Sequence, residues 1–218
     1  TNDDSSFKMT PQQLKNAITP KTKMIVLTSP SNPTGSVYSR DELTALGKVL
    51  EGTNILVARD EMYEKLIYDV EFTSSAAVSE DMYKRTITIN GLSKSVAMTG
   101  WRFGYMAAHQ TEIIQATKKL QSQSTSNINS VTQKAAIVGL NGDADADIES
   151  MRVAFKERRD EAVKLINAID GLSVYKPDGA FYLFINIKTL SNDSMEFSRK
   201  LLQNKAVAVV PGVGFGSE

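Results

Sequence analysis

The chain has 218 residues, of which 41% are hydrophobic and 23% charged, ordinary values for a globular protein of one or two domains. Lysine plus arginine equals aspartate plus glutamate, 25 against 25, so no charge imbalance points to nucleic acid or a membrane surface as partner. Without cysteine there are no disulfides or thiolate zinc sites, and the single histidine, His109, excludes any site that needs two. No apolar run approaches the roughly 18 residues of a membrane-spanning helix, and we expect a cytosolic protein.

The first half of the chain alternates strand and helix patterns. Short runs rich in β-forming residues predict four strands: Met24–Thr28, Asn54–Ala58, Thr86–Asn90 and Phe103–Ala108. After the first strand, Ser39 and Glu42 have the spacing of a capping box, which predicts a helix reaching about Glu51. Strands that alternate with helices predict a mostly parallel sheet covered on both faces, a three-layer α/β/α arrangement.

The second half is mainly helical. Its periodicity predicts helices over Thr111–Gln123, Ser130–Leu140 and Asp147–Ile169, and strands over Leu172–Tyr175, Ala180–Ile187 and Ala206–Val210. Turn residues and an acidic run at 141–145 favour a hinge there. We therefore expect residues 1–142 to belong to a large domain and residues 143–218 to a smaller α+β domain.

Polar side chains follow the ends of the predicted strands. Asn32 follows the first, Asp60 and Tyr63 the second, Ser93 and Lys94 the third, and Arg102 stands just before the fourth. A parallel sheet is expected to bring these groups to one edge, where such sheets bind ligands. The set has neither the histidine or cysteine of a hydrolytic triad nor the carboxylate cluster of a magnesium site.

This set of groups matches the needs of an enzyme that uses pyridoxal phosphate. The cofactor's aldehyde requires an amine, which Lys94 provides, and its pyridine nitrogen requires a carboxylate, which Asp60 provides. Asn32 and Tyr63 can donate hydrogen bonds to the ring's phenolic oxygen. Arg102 has the planar fork that suits a phosphate.

Three motifs in order resemble the signature of the class I pyridoxal phosphate-dependent aminotransferases, closest to the bacterial aspartate aminotransferases. They lie at 29–35 (SPSNPTG), at 60–63 (DEMY), and at 93–104, where SKS is followed by MTGWRFG. Lys94 and Arg102 are eight residues apart, the family's own spacing. The resemblance covers the whole chain, including 179–182 (GAFY), and implies the fold type I of pyridoxal phosphate enzymes.

The resemblance implies a role for each matching residue. Lys94 corresponds to the lysine that binds the cofactor and moves the proton during catalysis, Asp60 to the partner of the pyridine nitrogen, and Tyr63 to the donor to the phenolic oxygen. Asn32 corresponds to the asparagine that contacts that oxygen and the substrate carboxylate, and the Asn32–Pro33 bond is a candidate for the cis isomer. Arg102, helped by Ser93, corresponds to the phosphate ligands. Phe181 is expected to approach the substrate.

Two departures from the family pattern are visible. Arg59 stands where relatives usually carry a small residue before the aspartate. The family's glycine-rich phosphate loop, its stacking aromatic ring and its carboxylate-binding arginine have no counterpart among the 218 residues, so we expect a fragment of a longer protein.

The resemblance implies a homodimeric enzyme that transfers an amino group from L-aspartate to 2-oxoglutarate by a ping-pong mechanism. Three alternatives stay open at this point. The same fold can carry aromatic or alanine transamination, or a carbon–sulfur lyase reaction. It can also serve as a non-catalytic module, such as the effector domain of a transcription regulator. A folded remnant that binds nothing is the third.

Overall fold

The computed structural model describes residues 5–216, and its first half is built on a four-stranded sheet. The strands are β1 (Met24–Thr28), β2 (Leu56–Asp60), β3 (Thr86–Gly91) and β4 (Gly104–Ala108), and they lie side by side in that order. Strands β1, β2 and β3 are parallel, whereas β4 runs antiparallel to β3. The expected α/β fold with a mostly parallel sheet is confirmed.

Four helices accompany this sheet: α1 (Pro11–Ala17), α2 (Arg40–Leu50), α3 (Glu80–Arg85) and α4 (Leu92–Ser95). The predicted capping box starts α2, because Ser39 Oγ accepts a hydrogen bond from the Glu42 amide and the Ser39 amide donates to Glu42 Oε2. Helices α1, α3 and α4 have no counterpart in the sequence analysis. All three are shorter than eight residues, so their apolar periodicity is too brief to stand out.

One face of the sheet carries the main core. Apolar residues of α1, α2 and α3 pack on this face against side chains from β1 and β2, among them Leu14, Leu27, Leu43, Leu46, Val57 and Met82. Val57 and Leu43 are fully buried. On the other face Val26 is 70% exposed and Ile89 is 41% exposed. Because neighbouring residues of a strand point to opposite faces, Leu27 is buried while Val26 beside it is open.

The second half contains four helices and a small sheet: α5 (Thr111–Ser124), α6 (Ser130–Leu140), α7 (Asp145–Asn167), β5 (Ser173–Val174), β6 (Ile185–Asn186) and α8 (Ser194–Lys205). The predictions for α5, α6 and α7 agree with these bounds to within two residues. Helix α8 was not predicted. No helix within residues 5–216 is long and apolar enough to cross a membrane.

Several predicted strand bounds are wrong. The second strand extends to Asp60 and starts at Leu56, because its ladder with β1 pairs Thr28 with Asp60. Strands β5 and β6 have two residues each and are shorter than the predicted strands Leu172–Tyr175 and Ala180–Ile187. Ala206–Val210 is not a strand, because a strand needs a hydrogen-bonded neighbour and this segment has none within the described part of the chain.

The two halves of the chain meet at a close approach of two glycines. Gly179 donates its amide hydrogen to the Gly35 carbonyl at 2.8 Å, and Gly179 also forms an antiparallel bridge with Ile67. Gly35 has a φ of +68°, and a Cβ built on it would lie 2.3 Å from Pro177 Cβ and 2.5 Å from the Gly179 oxygen. A side chain at position 35 would therefore push apart the segments that carry Asn32 and Phe181.

We predict that Gly35→Ala lowers the free energy of unfolding by about 3 kcal/mol, because the strain of a left-handed alanine adds to the overlap with Pro177. The matched control is Gly52→Ala, since Gly52 has a similar φ of +72° but open space around its Cβ position. That control should cost about 1 kcal/mol, from the backbone conformation alone. Urea unfolding of the two variants measures the difference, and equal losses would contradict the close packing.

Candidate functional site

The register of the sheet brings the ends of its strands to one edge. Thr28, Asp60 and Ile89 are neighbours across β1, β2 and β3, so the segments that follow these parallel strands leave the sheet together. Strand β4 begins at Gly104, which pairs with Gly91 at the end of β3. Arg102 reaches this edge because β4 is antiparallel. A fourth parallel strand would have placed the start of β4 at the opposite edge.

Asn32 lies in the loop after β1. The Asn32–Pro33 bond is cis, as predicted, and the Ser29–Pro30 bond is cis as well. Asn32 is exposed, and its side chain is close enough to the Tyr63 phenol to act against the rise in the pKa of that phenol. The first and second site segments thus lie beside each other at this edge.

Asp60 ends β2, and its side chain turns back on the next residues. Asp60 Oδ1 accepts a hydrogen bond from the Met62 amide at 3.0 Å. No α-helix follows β2 directly, so this contact holds a turn and does not cap a helix. The half-buried carboxylate is held at the edge of the sheet, where the loop that carries Tyr63 begins.

Arg59 points to the opposite face of the sheet from Asp60. It pairs in register with the core residue Leu27 and is fully buried. Its Nε lies 3.5 Å from Oε1 of the buried Glu61, and burial lowers the pKa of Arg59 and raises the pKa of Glu61. Glu61 also accepts a hydrogen bond from Ser74. The alternation of the strand therefore explains how a cation is accommodated next to Asp60 in sequence.

Lys94 lies in the single-turn helix α4, which follows β3 immediately. Its Nζ is 5.9 Å from the centre of the Tyr63 ring and 5.5 Å from the centre of the Phe181 ring. Within residues 5–216 no carboxylate forms an ion pair with it. The amine is half-buried between two aromatic faces, which attract a cation without consuming its hydrogen-bond donors.

Tyr63 is the centre of the aromatic cluster beside Lys94. It is 5% exposed, and its hydroxyl is 2.6 Å from the Tyr182 hydroxyl. Burial and the Tyr182 contact raise the pKa of Tyr63 well above its usual range, and the Asn32 side chain opposes this only in part. The phenol is therefore protonated at neutral pH, and it can donate its one hydrogen to a ligand when Tyr182 is the donor in the contact between the two hydroxyls.

Phe181 and Tyr182 both contact Tyr63, with ring centres 5.5 Å and 5.7 Å away. Phe181 also stacks on Phe155 of α7 at 5.2 Å. Sequence reasoning named Phe181 but not Tyr182 or Phe155 as neighbours of the site. Neighbouring residues of an extended segment usually point to opposite sides, so the sequence did not indicate that both rings reach Tyr63.

Arg102 and Ser93 lie at the same edge of the sheet as Lys94. Neither side chain forms a hydrogen bond with the Lys94 amine in the described part of the chain. Arg102 has a left-handed φ of +54°, is exposed, and donates one hydrogen bond to the Thr99 carbonyl at 2.9 Å. It lines an open hollow of about 900 Å³ together with residues of the α5–α6 connection, including Asn127 and Asn129. Most of its guanidinium donors are therefore available to an anionic ligand.

The whole chain, residues 1–218, matches the sequence profile described as "Aminotransferase class I and II". It is 48% identical to the aspartate aminotransferase of Bacillus subtilis (strain 168), over 99% of this chain and 56% of that protein. It is 45% identical to the asparagine–oxo-acid transaminase of Streptococcus mutans serotype c, over 100% of this chain and 56% of that protein.

The fold agrees with a solved relative. The crystal structure of the aspartate aminotransferase from Rhizobium meliloti superposes with a TM-score of 0.94 at 38% identity, and the match covers 100% of this chain and 57% of that one. The chain thus spans a little over half the length of the relatives it matches. The similarity extends through both halves of the chain.

We predict that Glu61→Gln lowers the free energy of unfolding by about 3 kcal/mol, because it leaves Arg59 as a buried charge without a counterion. The double variant Arg59→Met with Glu61→Gln should recover most of that loss. Glu64→Gln, which neutralises a half-buried neighbouring carboxylate, serves as control and should change stability by less than about 0.5 kcal/mol. Urea unfolding tests this, and a double variant no more stable than Glu61→Gln would refute the coupling.

Proposed function

We propose that this chain, which belongs to the family of class I and II aminotransferases, carries the cofactor lysine and most of the ring contacts of a pyridoxal phosphate-dependent transaminase. The observation that carries the proposal is the position of Lys94. Among residues 5–216 its amine has no carboxylate partner, and it lies against Tyr63, whose hydroxyl contacts the Tyr182 hydroxyl.

The groups at this edge fit pyridoxal phosphate by their chemistry. A primary amine, a protonated phenol, an amide and a carboxylate are held on three consecutive strand-end segments. A guanidinium with free donors lies at the start of the fourth strand. Lys94 would hold the aldehyde, Asp60 the pyridine nitrogen, Tyr63 and Asn32 the phenolic oxygen, and Arg102 with Ser93 the phosphate.

Pyridoxal phosphate, when bound, supplies an aldehyde that captures amino groups and a ring that withdraws electrons. The protein's part is to bind, orient and exchange protons. Asp60, as a carboxylate, favours a proton on the ring nitrogen. Tyr63, kept protonated by burial, donates its hydrogen to the phenolic oxygen. Phe181 covers the amine of Lys94 and limits the access of water to it.

Proton transfer at the substrate's α-carbon is assigned to the Nζ atom of Lys94. Lys94 Nζ lies over both the Tyr63 and the Phe181 rings, and it can act as a base once its amine is free. Lys94 would accept a proton from the substrate's α-carbon and pass it to the cofactor carbon C4′, and the second half-reaction would move a proton in the reverse direction. A positioned amine can act first as base and then as acid because it releases the proton that it has accepted.

L-aspartate as donor and 2-oxoglutarate as acceptor, in a ping-pong sequence, are the reaction that we propose. The names of the relatives support it, since one is an aspartate aminotransferase and another acts on asparagine and an oxo acid. The assay should therefore compare aspartate with asparagine, aromatic amino acids and alanine. Release of pyruvate from cysteine without an acceptor would indicate a lyase in place of a transaminase.

We also propose that the protein acts as a homodimer in the cytosol. Helix α6 supports the first part, because it exposes Val131, Ile137 and Leu140 to 68%, 52% and 53%. An apolar helix surface of this kind is typical of a face covered by another chain or segment. Size-exclusion chromatography with light scattering tests the stoichiometry.

We predict that the purified protein, incubated with pyridoxal phosphate, gains a yellow absorbance band that Lys94→Ala lacks, because Lys94 is the amine that binds the aldehyde. Borohydride treatment followed by peptide mapping should place the mass of the reduced cofactor on the peptide containing Lys94. Lys65→Ala, which removes an exposed lysine of the loop after β2, should leave both signals unchanged. Labelling spread over many lysines would contradict the assignment.

We predict that Asp60→Asn lowers kcat about 100-fold or more, because an amide cannot hold the positive charge of the ring nitrogen as a carboxylate does. Asp41→Asn in the exposed first turn of α2 is the control and should stay within about twofold of the parent. Steady-state transamination of aspartate measures both. Equal activity of Asp60→Asn and the parent would remove Asp60 from the proposed mechanism.

A further inference from the structure

A buried arginine on α7 connects two segments that carry candidate site residues. Arg159 is 6% exposed; its Nη1 donates to the Pro177 carbonyl at 2.9 Å and its Nη2 donates to Asp69 Oδ2 at 2.8 Å. Its guanidinium carbon lies 4.7 Å from the centre of the Tyr68 ring. The Arg159 guanidinium thus donates hydrogen bonds from its edges while its flat face lies against an aromatic ring. A lysine ammonium has no such plane and cannot make the same set of contacts.

The loop after β2, one of the two segments joined by Arg159, holds Ala180 by both of its backbone polar groups. The Ala180 amide donates to the Leu66 carbonyl at 2.8 Å, and the Ala180 carbonyl accepts a hydrogen bond from the buried Tyr68 hydroxyl. Ala180 is fully buried with a φ of +59°, a conformation that is unfavourable for a residue with a Cβ. This left-handed residue immediately precedes Phe181 and Tyr182, which both contact the Tyr63 ring.

We propose that Arg159 is a positioning residue of the candidate site, which holds the turn before Phe181 and the loop after Tyr63 in one fixed arrangement. Its catalytic meaning rests on the proposed function, whereas the positioning itself is a property of the chain without cofactor. Arg159 acts through Pro177 and Tyr68 and makes no recorded contact with Lys94.

Arg159 pairs with two carboxylates, its neighbour Asp160 on α7 and Asp69 in the loop after β2, and the pair with Asp69 is present throughout the neutral range. Hydrogen bonds from Lys156 and Arg159 lower the pKa of Asp69 to about 2, so the carboxylate stays ionised in any ordinary assay. Lys156 lies on α7 as well, and Arg152 of the same helix donates to the Ile67 carbonyl. Helix α7 therefore contacts the loop after β2 with several cations, of which Arg159 is the buried one that also reaches Pro177.

The first test is hydrogen exchange of the protein without cofactor, comparing the parent with Arg159→Met. We expect exchange of the Tyr68, Gly179 and Ala180 amides to rise about tenfold or more, while amides of the core strand β2 change much less. Arg199→Met is the matched control, because Arg199 hydrogen-bonds to Gln203 on the exposed surface of α8. Unchanged exchange, or a rise shared equally by β2, would overturn the proposal.

The second test is kinetic, with pyridoxal phosphate bound. We expect Arg159→Met to raise KM for the amino donor about tenfold while kcat per bound cofactor stays within about threefold, because Phe181 is displaced but Lys94 is not. Arg159→Lys should show the same pattern more weakly and serves if Arg159→Met does not fold. A change confined to the amount of active protein would mean that Arg159 only stabilises the fold, and would refute positioning.

The two tests separate the two proposals. A parent protein that never binds pyridoxal phosphate would refute the proposed function, while hydrogen exchange would still decide whether Arg159 fixes the turn. A parent that binds the cofactor together with unchanged exchange in Arg159→Met would refute the positioning role alone.

Discussion

Strand β3 lies between a parallel neighbour, β2, and an antiparallel one, β4, and the candidate site depends on this arrangement. The parallel pairs send the chain out of the sheet after Thr28, Asp60 and Gly91 at the same edge. Because β4 is antiparallel to β3, β4 begins at this same edge. Arg102, which lies just before the start of β4, is therefore at this edge as well. The backbone hydrogen bonds between the strands thus bring together groups from separate parts of the sequence, and these are the groups that we assign to one cofactor.

The alternation of side chains along β2 separates two charges that are adjacent in sequence. Asp60 faces the site segments, while Arg59 enters the core on the other face and meets Glu61. A guanidinium in contact with the Asp60 carboxylate would compete with a ring nitrogen for it. Since Arg59 points away, its partner is Glu61, and its influence is on stability more than on the chemistry of the site.

The aromatic part of the site depends on a second set of constraints. Tyr63 follows β2, whereas Phe181 and Tyr182 come more than a hundred residues later, and they are held together by backbone hydrogen bonds at Gly179 and Ala180. The glycines at 35 and 179 permit this approach because a Cβ at either position would overlap its neighbours. Arg159 of α7 hydrogen-bonds to both of the segments that meet here, at Pro177 and at Asp69.

Local signals in the sequence determined the strands β1 and β3 and the helices α2, α5, α6 and α7, because each depends on neighbours in the chain. The cis bond at Asn32–Pro33 was expected from the family resemblance. The spacing of Lys94, Arg102 and the motifs before them was sufficient to indicate the family. The direction of β4, the inward turn of Arg59, the Tyr63–Tyr182 contact and the role of Arg159 were decided by tertiary structure alone. They depend on which distant segments meet, and periodicity along one strand or helix carries no information about that partner.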